Sequence, residues 1–134
     1  MFTTLAIDPR KSPFGPKLLL VIEPDQTLGG ILVQTIRKET PYKVILAISI
    51  EDAYHILQHL KCDLVLLADS LLPVGEEFSA CLNTLPEYEK IAVYFFPDVI
   101  LRRKSHLTKE ARSFELDRLL QTIHHLLNAS GNTV

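Results

Sequence analysis

The chain has 134 residues, enough for one domain with a full core and no need of disulfide or metal staples. Apolar residues make up 47% and charged residues 22%, the balance of an ordinary globular protein rather than a disordered segment. Fourteen Lys and Arg oppose sixteen Asp and Glu, and the resulting charge of −2 gives no bulk attraction to nucleic acid or anionic membrane.

Residues 1–16 contain Pro9, Pro13, Gly15 and Pro16 and are expected to form an extended leader outside the fold. They lack the apolar core and cleavage pattern of a signal peptide, and no apolar run approaches the ~18 residues that span a bilayer. Asn128-Ala129-Ser130 matches a glycosylation acceptor but carries no weight without secretion. Cys62 and Cys81 form no C-x-x-C pair, so neither zinc nor redox chemistry is indicated. Both are expected as small buried hydrophobes in a reducing, cytoplasmic setting.

The first strand is Leu18-Leu19-Leu20-Val21-Ile22, stopped at Glu23-Pro24-Asp25 by the proline. A helix from about Gln26 to Lys38 follows, with Leu28, Ile31, Leu32, Thr35 and Ile36 on one face. Gly29 and Gly30 sit inside it, each costing about 1 kcal/mol relative to Ala. They either allow close approach to a neighbour or are tolerated weak points. Tyr42 to Ile48 is Val- and Ile-rich and reads as the second strand. Ser49-Ile50-Glu51-Asp52 reads as an N-cap and first-turn acids, followed by an apolar stripe at Ala53, Ile56, Leu57 and Leu60.

Asp63 to Ala68 is the third strand, an uncharged run long enough to be buried on both faces. It ends at Asp69, and Pro73 follows four residues later. A carboxylate at the carboxyl end of such a strand lies where open parallel sheets place their ligands, although a loop aspartate capping the next element reads the same way. The third helix spans about Gly75 to Leu85, with Phe78, Cys81, Leu82 and Leu85 inward and Pro86 beyond it. Ile91 to Phe96 is the fourth strand, stopped by Pro97. Residues 98–112 give the weakest pattern: a short helix at 99–104 and a poor fifth strand from Ser105 to Ala111. Ser113 is expected to cap the last helix, whose stripe is Leu116, Leu119, Leu120, Ile123 and Leu127.

Strands alternating with helices imply right-handed crossovers and a parallel sheet covered on both faces. The expectation is an α/β, three-layer, doubly wound sheet of five strands in order 2-1-3-4-5, with a weak fourth helix and fifth strand. The domain would span 17–127, leaving 128–134 as a tail.

This arrangement resembles the receiver domain of two-component response regulators. Its carriers are Leu19-Leu20-Val21-Ile22-Glu23-Pro24-Asp25, Asp63-Leu64-Val65-Leu66-Leu67-Ala68-Asp69-Ser70-Leu71-Leu72-Pro73, and Arg112-Ser113-Phe114-Glu115-Leu116-Asp117-Arg118-Leu119-Leu120. In that family a strand-three aspartate accepts a phosphoryl group from a partner histidine kinase. Two acids after strand one help hold Mg²⁺. A Ser or Thr after strand four and a Lys after strand five contact the phosphoryl oxygens. The chemistry is mainly positioning and charge neutralisation, so each part matters.

Carried over, the resemblance puts the phosphoacceptor at Asp69, counting back from Pro73, or at Ala68, counting forward from Asp63; Asp69 is favoured. The acidic pair falls on Glu23 and Pro24, so an acidic pocket would hold Glu23 with the adjacent Asp25. The hydroxyl position falls on Phe96 or Pro97, and the lysine position on Arg112, which keeps charge but not ammonium geometry. The resemblance therefore implies a degenerate, pseudo-receiver-like domain. It would have no resident cofactor, with Mg²⁺ at Glu23 and Asp69 possible but expected to be weak.

No Gly-rich phosphate loop, dinucleotide fingerprint or G-x-S-x-G is present, so an independent enzyme is not expected. His55 and His59 at i, i+4, and the adjacent His124 and His125, read as solvated helix faces rather than metal ligands. Val99, Ile100 and Leu101 beside Arg102, Arg103 and Lys104 read as a partner face, an apolar patch rimmed by charge. Partners would be a histidine kinase, an output protein or a second copy in a dimer. A working phosphoacceptor using Asp69 is the first alternative. A flavodoxin-like binder or enzyme is the second, and would show an apolar cavity at the Glu23/Asp69 edge.

Overall fold

The computed structural model describes residues 17–72, 74–86, 91–101 and 108–131. Four strands, β1 (Leu18–Ile22), β2 (Lys43–Ala47), β3 (Leu64–Ala68) and β4 (Ala92–Phe96), pair in parallel in the order β2-β1-β3-β4. The order follows from burial. Every residue of β3 and all but the first of β1 is buried, so these two strands take the centre, shielded from water on both faces. Glu23 extends the β1–β2 ladder by one bond, its amide donating to the Ala47 carbonyl at 3.0 Å.

Alternation along the strands builds two apolar layers. Leu19, Val21, Leu66 and Ala68 face helix α1 (Gln26–Glu39) and helix α4 (Lys109–Gly131), meeting Leu32, Ile36, Leu119, Ile123 and Leu127. Leu20, Ile22, Val65 and Leu67 face helix α2 (Ile50–His59) and helix α3 (Val74–Thr84), meeting Ala53, Leu57, Phe78 and Leu82. Each such buried side chain contributes about 1.5–3 kcal/mol.

Two glycines set how closely helices approach the sheet. A Cβ on Gly29 would lie 2.7 Å from Leu46 Cδ1, and one on Gly75 would lie 2.2 Å from Leu67 Cδ2, whereas Gly30 faces open space. Gly29 thus serves close packing and Gly30 does not. Residue 63 adds a tie unmarked in the sequence pattern: Asp63 Oδ2 accepts the Leu18 amide at 2.8 Å, and the Asp63 amide donates back to the Leu18 carbonyl at 2.8 Å. The paired bonds align the starts of β1 and β3.

The carboxyl-terminal third departs most from expectation. Four strands are present among the described residues, and a fifth is not. Of the stretch 105–111 expected to form it, Lys109–Ala111 open α4, and 105–107 lie outside the described residues. The helix is capped by Thr108, whose Oγ1 accepts the Ala111 amide at 3.0 Å, not by Ser113, which lies inside it. It also continues to Gly131, past the expected domain end at Leu127. Twelve residues, 97–108, join β4 to α4, and Asp98–Leu101 form a single 3-10 turn.

Candidate functional site

In a parallel doubly wound sheet, ligand chemistry belongs at the carboxyl ends of the strands. Glu23, Asp69 and Phe96 each end or follow a strand at that edge. Glu23 is buried, 1% exposed, and its Oε2 accepts the Asp25 amide at 3.1 Å. Asp25 caps α1: its Oδ1 accepts the Thr27 amide at 3.0 Å and the Leu28 amide at 3.2 Å. The Asp-Gln-Thr-Leu order is the sequence signal for this cap. Pro24, between the two acids, has no side-chain oxygen and is exposed.

Ala68 closes β3 opposite Phe96 and is fully buried. Asp69 is the next residue, exposed, and opens the 3-10 turn Asp69–Leu71, where its carbonyl accepts the Leu72 amide at 3.1 Å. Ala68 thus ends the strand inside the core, and Asp69 stands in solvent one residue beyond it. Phe96 is fully buried and Pro97 half-buried, and neither side chain carries a hydroxyl. Arg112 lies in the first turn of α4, its amide bonded to the Thr108 carbonyl at 2.9 Å, and not at the end of a strand as the resemblance placed it.

The expected partner face changes most. Ile100 and Leu101 are 5% and 4% exposed and pack in the α1/α4 layer, so they are core and not an exposed patch. An apolar triplet followed by basic residues reads alike in either case. The Val99 side chain and Arg102, Arg103 and Lys104 lie outside the described residues, as does Pro73. Exposed large apolar side chains occur elsewhere: Ile48 just after β2, Leu72 and Val74 just after β3, and Phe114 early in α4. Phe114 is 61% exposed, with the Arg118 guanidinium 5.8 Å from its ring centre.

The two thiols also part. Cys62 is buried, and desolvation, with the Asp63 charge second, pushes it up to about 11. Cys81, expected to point inward on α3, is exposed; the buried residues of α3 are Gly75, Phe78 and Leu82. Cys81 lies beside Tyr54 of α2, whose hydroxyl is raised to about 12 by the bond with Cys81 first and burial second. Tyr54 also meets Phe78 edge-on, with 5.0 Å between ring centres.

His55 and His59 are exposed on α2, and His124 and His125 on α4. The Tyr42 hydroxyl bonds His124 Nδ1 at 2.7 Å, and Asn128 Nδ2 bonds His124 Nε2 at 2.8 Å. Burial raises the Tyr42 hydroxyl above its usual range, opposed by Asn128. An open groove of about 590 Å³ runs past Glu39, Pro41, Asp117, Leu120 and His124. It lies at the amino end of the sheet, opposite the Glu23/Asp69 edge where a flavodoxin-like ligand site was expected. Among the described residues no group of three or more His, Cys, Asp or Glu is placed to hold a metal ion. No helix among them is long and apolar enough to cross a membrane.

No protein-family model matches the chain, and no curated protein matches it in sequence. Solved structures do. A response regulator receiver protein from Pseudomonas putida superposes with a TM-score of 0.60 at 18% identity, over 81% of this chain and 96% of that one. A response regulator from Thermotoga maritima gives 0.61 at 14% identity, over 84% and 98%. The receiver domain of a Francisella response regulator gives 0.60 at 11% identity, over 85% and 98%. The fold is that of response regulator receiver domains.

Proposed function

We propose that this chain is a receiver-like signalling domain of a two-component system that works by binding another protein and accepts a phosphoryl group poorly or not at all. The observation that carries this reading is the make-up of the carboxyl edge. Glu23 and Asp25 are held by backbone amides, while Ile48, Leu72 and Val74, which follow the strand ends, stand in solvent. Exposed apolar side chains beside a strand-end site are of the kind that proteins use for contact.

Mg²⁺ demands near-octahedral oxygen ligation. Pro24 offers no oxygen, Glu23 is buried with Oε2 on the Asp25 amide, and Asp25 Oδ1 serves the α1 cap. This donor set does not fit the ion, so binding through Glu23 and Asp69 is weak at best. Phosphoryl transfer also needs charge neutralisation around the equatorial oxygens. Phe96 and Pro97 supply no hydroxyl, and Arg112 stands one turn into a helix. The domain is then a cytoplasmic binding module, not an enzyme, with no cofactor and no nucleic-acid or membrane partner. Its partner is a histidine kinase, an output protein or a second copy.

One observation favours a second reading, a working phosphoacceptor: Asp69 is exposed at the strand end, four residues before Pro73. Incubation with acetyl phosphate and Mg²⁺, followed by intact-mass measurement, separates the two. The proposal expects an unchanged mass. A phosphoryl group added to the wild type but not to Asp69→Asn overturns it.

A further inference from the structure

The groove at the amino end of the sheet carries two exposed carboxylates, Glu39 at the end of α1 and Asp117 on α4. Both flanking helices end at this edge, so their last carbonyls add to its negative potential. Of the cations in the last turn of α1, Arg37 donates to the Val44 carbonyl at 3.0 Å. Lys38 lies ~100° around the helix from Glu39. Pro41 and Leu120 give the groove apolar surface. Its wall is fixed at His124, whose two ring nitrogens bond Tyr42 and Asn128.

The chain enters the sheet beside this groove. Lys17 is the first described residue, and its carbonyl accepts the Lys43 amide at 2.9 Å. Pro41, on the groove, and Tyr42, bonded to His124, immediately precede Lys43. Residues 1–16, which lie outside the described residues, therefore attach at the mouth of the groove. Seven residues separate Arg10 from Lys17, a reach of up to ~23 Å. Asp117 stands seven residues from His124 along α4, or ~10 Å. Arg10 and Lys11 are thus within reach of Asp117 and Glu39, with Phe14 nearer the mouth. The composition suits the groove. Arg10 and Lys11 outnumber the single acid, Asp8. Pro9, Pro13 and Pro16 restrict the backbone toward the extended form in which Pro-rich segments dock at low entropic cost.

We propose that residues 9–16 seat in this groove of their own chain, with Phe14 against Leu120 and Pro41 and with Arg10 and Lys11 facing Asp117 and Glu39. The short tether gives the segment an effective concentration on the order of millimolar, which favours it over a second copy in dilute solution. The contact lies at the opposite end of the sheet from Asp69, so it holds or fails independently of phosphoryl acceptance.

Tryptic cleavage after Lys11 in the full chain, followed by mass spectrometry, tests it. The wild type should be cut there about tenfold more slowly than Glu39→Gln/Asp117→Asn, because two ion pairs are lost and cleavage follows the population of the released segment. Both substituted residues are exposed, so circular dichroism should not change. Phe14→Ala should also be cut faster than the wild type. By NMR, the wild-type Phe14 ring should show NOEs to the Leu120 methyls. Its amide should have an order parameter of about 0.8, falling below about 0.6 in the double variant. Equal cleavage rates in all three proteins overturn the proposal. So does a wild-type Phe14 amide below about 0.6, or NOEs from Phe14 to a face other than this groove. Protection that grows with protein concentration overturns the tethered contact and assigns the groove to the same segment of a second copy.

Discussion

Truncating Ile100 decides whether the segment after β4 is core or docking surface. Ile100 is 5% exposed and packs with residues of α1 and α4. Removing three carbons from such a site costs the transfer free energy plus a cavity term, about 2–5 kcal/mol for Ile→Ala. The chain has 134 residues, so its unfolding entropy is about 0.28 kcal/mol per kelvin. A loss of about 3 kcal/mol therefore lowers the melting temperature by about 11 °C. Thermal unfolding followed by circular dichroism, at one fixed concentration, measures this. Urea unfolding should show a lower midpoint with an unchanged slope, because the native and denatured surfaces stay nearly the same. A shift below about 2 °C, within the range of surface substitutions, would refute the reasoning and return Ile100 to an exposed face.

Gly30→Ala should stabilise by up to about 1 kcal/mol in urea unfolding, since a Cβ there meets nothing. Gly75→Ala should destabilise by about 1–3 kcal/mol, because its Cβ would drive into Leu67, which is fully buried and cannot yield. A thiol-counting reagent at neutral pH should find one reactive group in the native protein, Cys81, and two after denaturation, since Cys62 is buried and stays protonated. The raised pKa of Cys62, from 9.0 to about 11, means that the unfolded chain releases that proton first. Its contribution to stability is therefore complete below pH 9 and is lost as pH rises toward 11, a loss that Cys62→Ala should remove from the alkaline unfolding profile.

The strands were the most legible part of the sequence because burial on both faces leaves an uninterrupted apolar run. Leu18–Ile22 and the end of β3 at Ala68 match the reading to the residue, and β2 and β4 differ only by trimmed ends. The Ser49 cap was equally plain: its Oγ accepts the Asp52 amide at 3.0 Å. The carboxyl-terminal third was not legible for physical reasons. Thr108 and Ser113 both precede a glutamate by two residues, and only tertiary packing selects the earlier cap. Ile100 and Leu101 carry no periodicity that separates a buried turn from a surface patch. Around the site, sequence reasoning placed Glu23 and Asp69 after the strands but passed over the Asp25 cap of α1, which the Asp-Gln-Thr-Leu order signals. It missed the Tyr42–His124–Asn128 contacts, for which the His124/Asn128 i, i+4 spacing was the only signal.

The central claim is that a receiver fold here carries an edge unsuited to Mg²⁺ and phosphoryl chemistry. An NMR titration with Mg²⁺, then with Mg²⁺ and beryllium fluoride, tests it most directly. The account predicts no saturable shift at the Asp69 amide or its neighbours Glu23 and Ala68 at low-millimolar Mg²⁺, and no further change with beryllium fluoride. Saturable shifts centred on Asp69 that Asp69→Asn abolishes would contradict it.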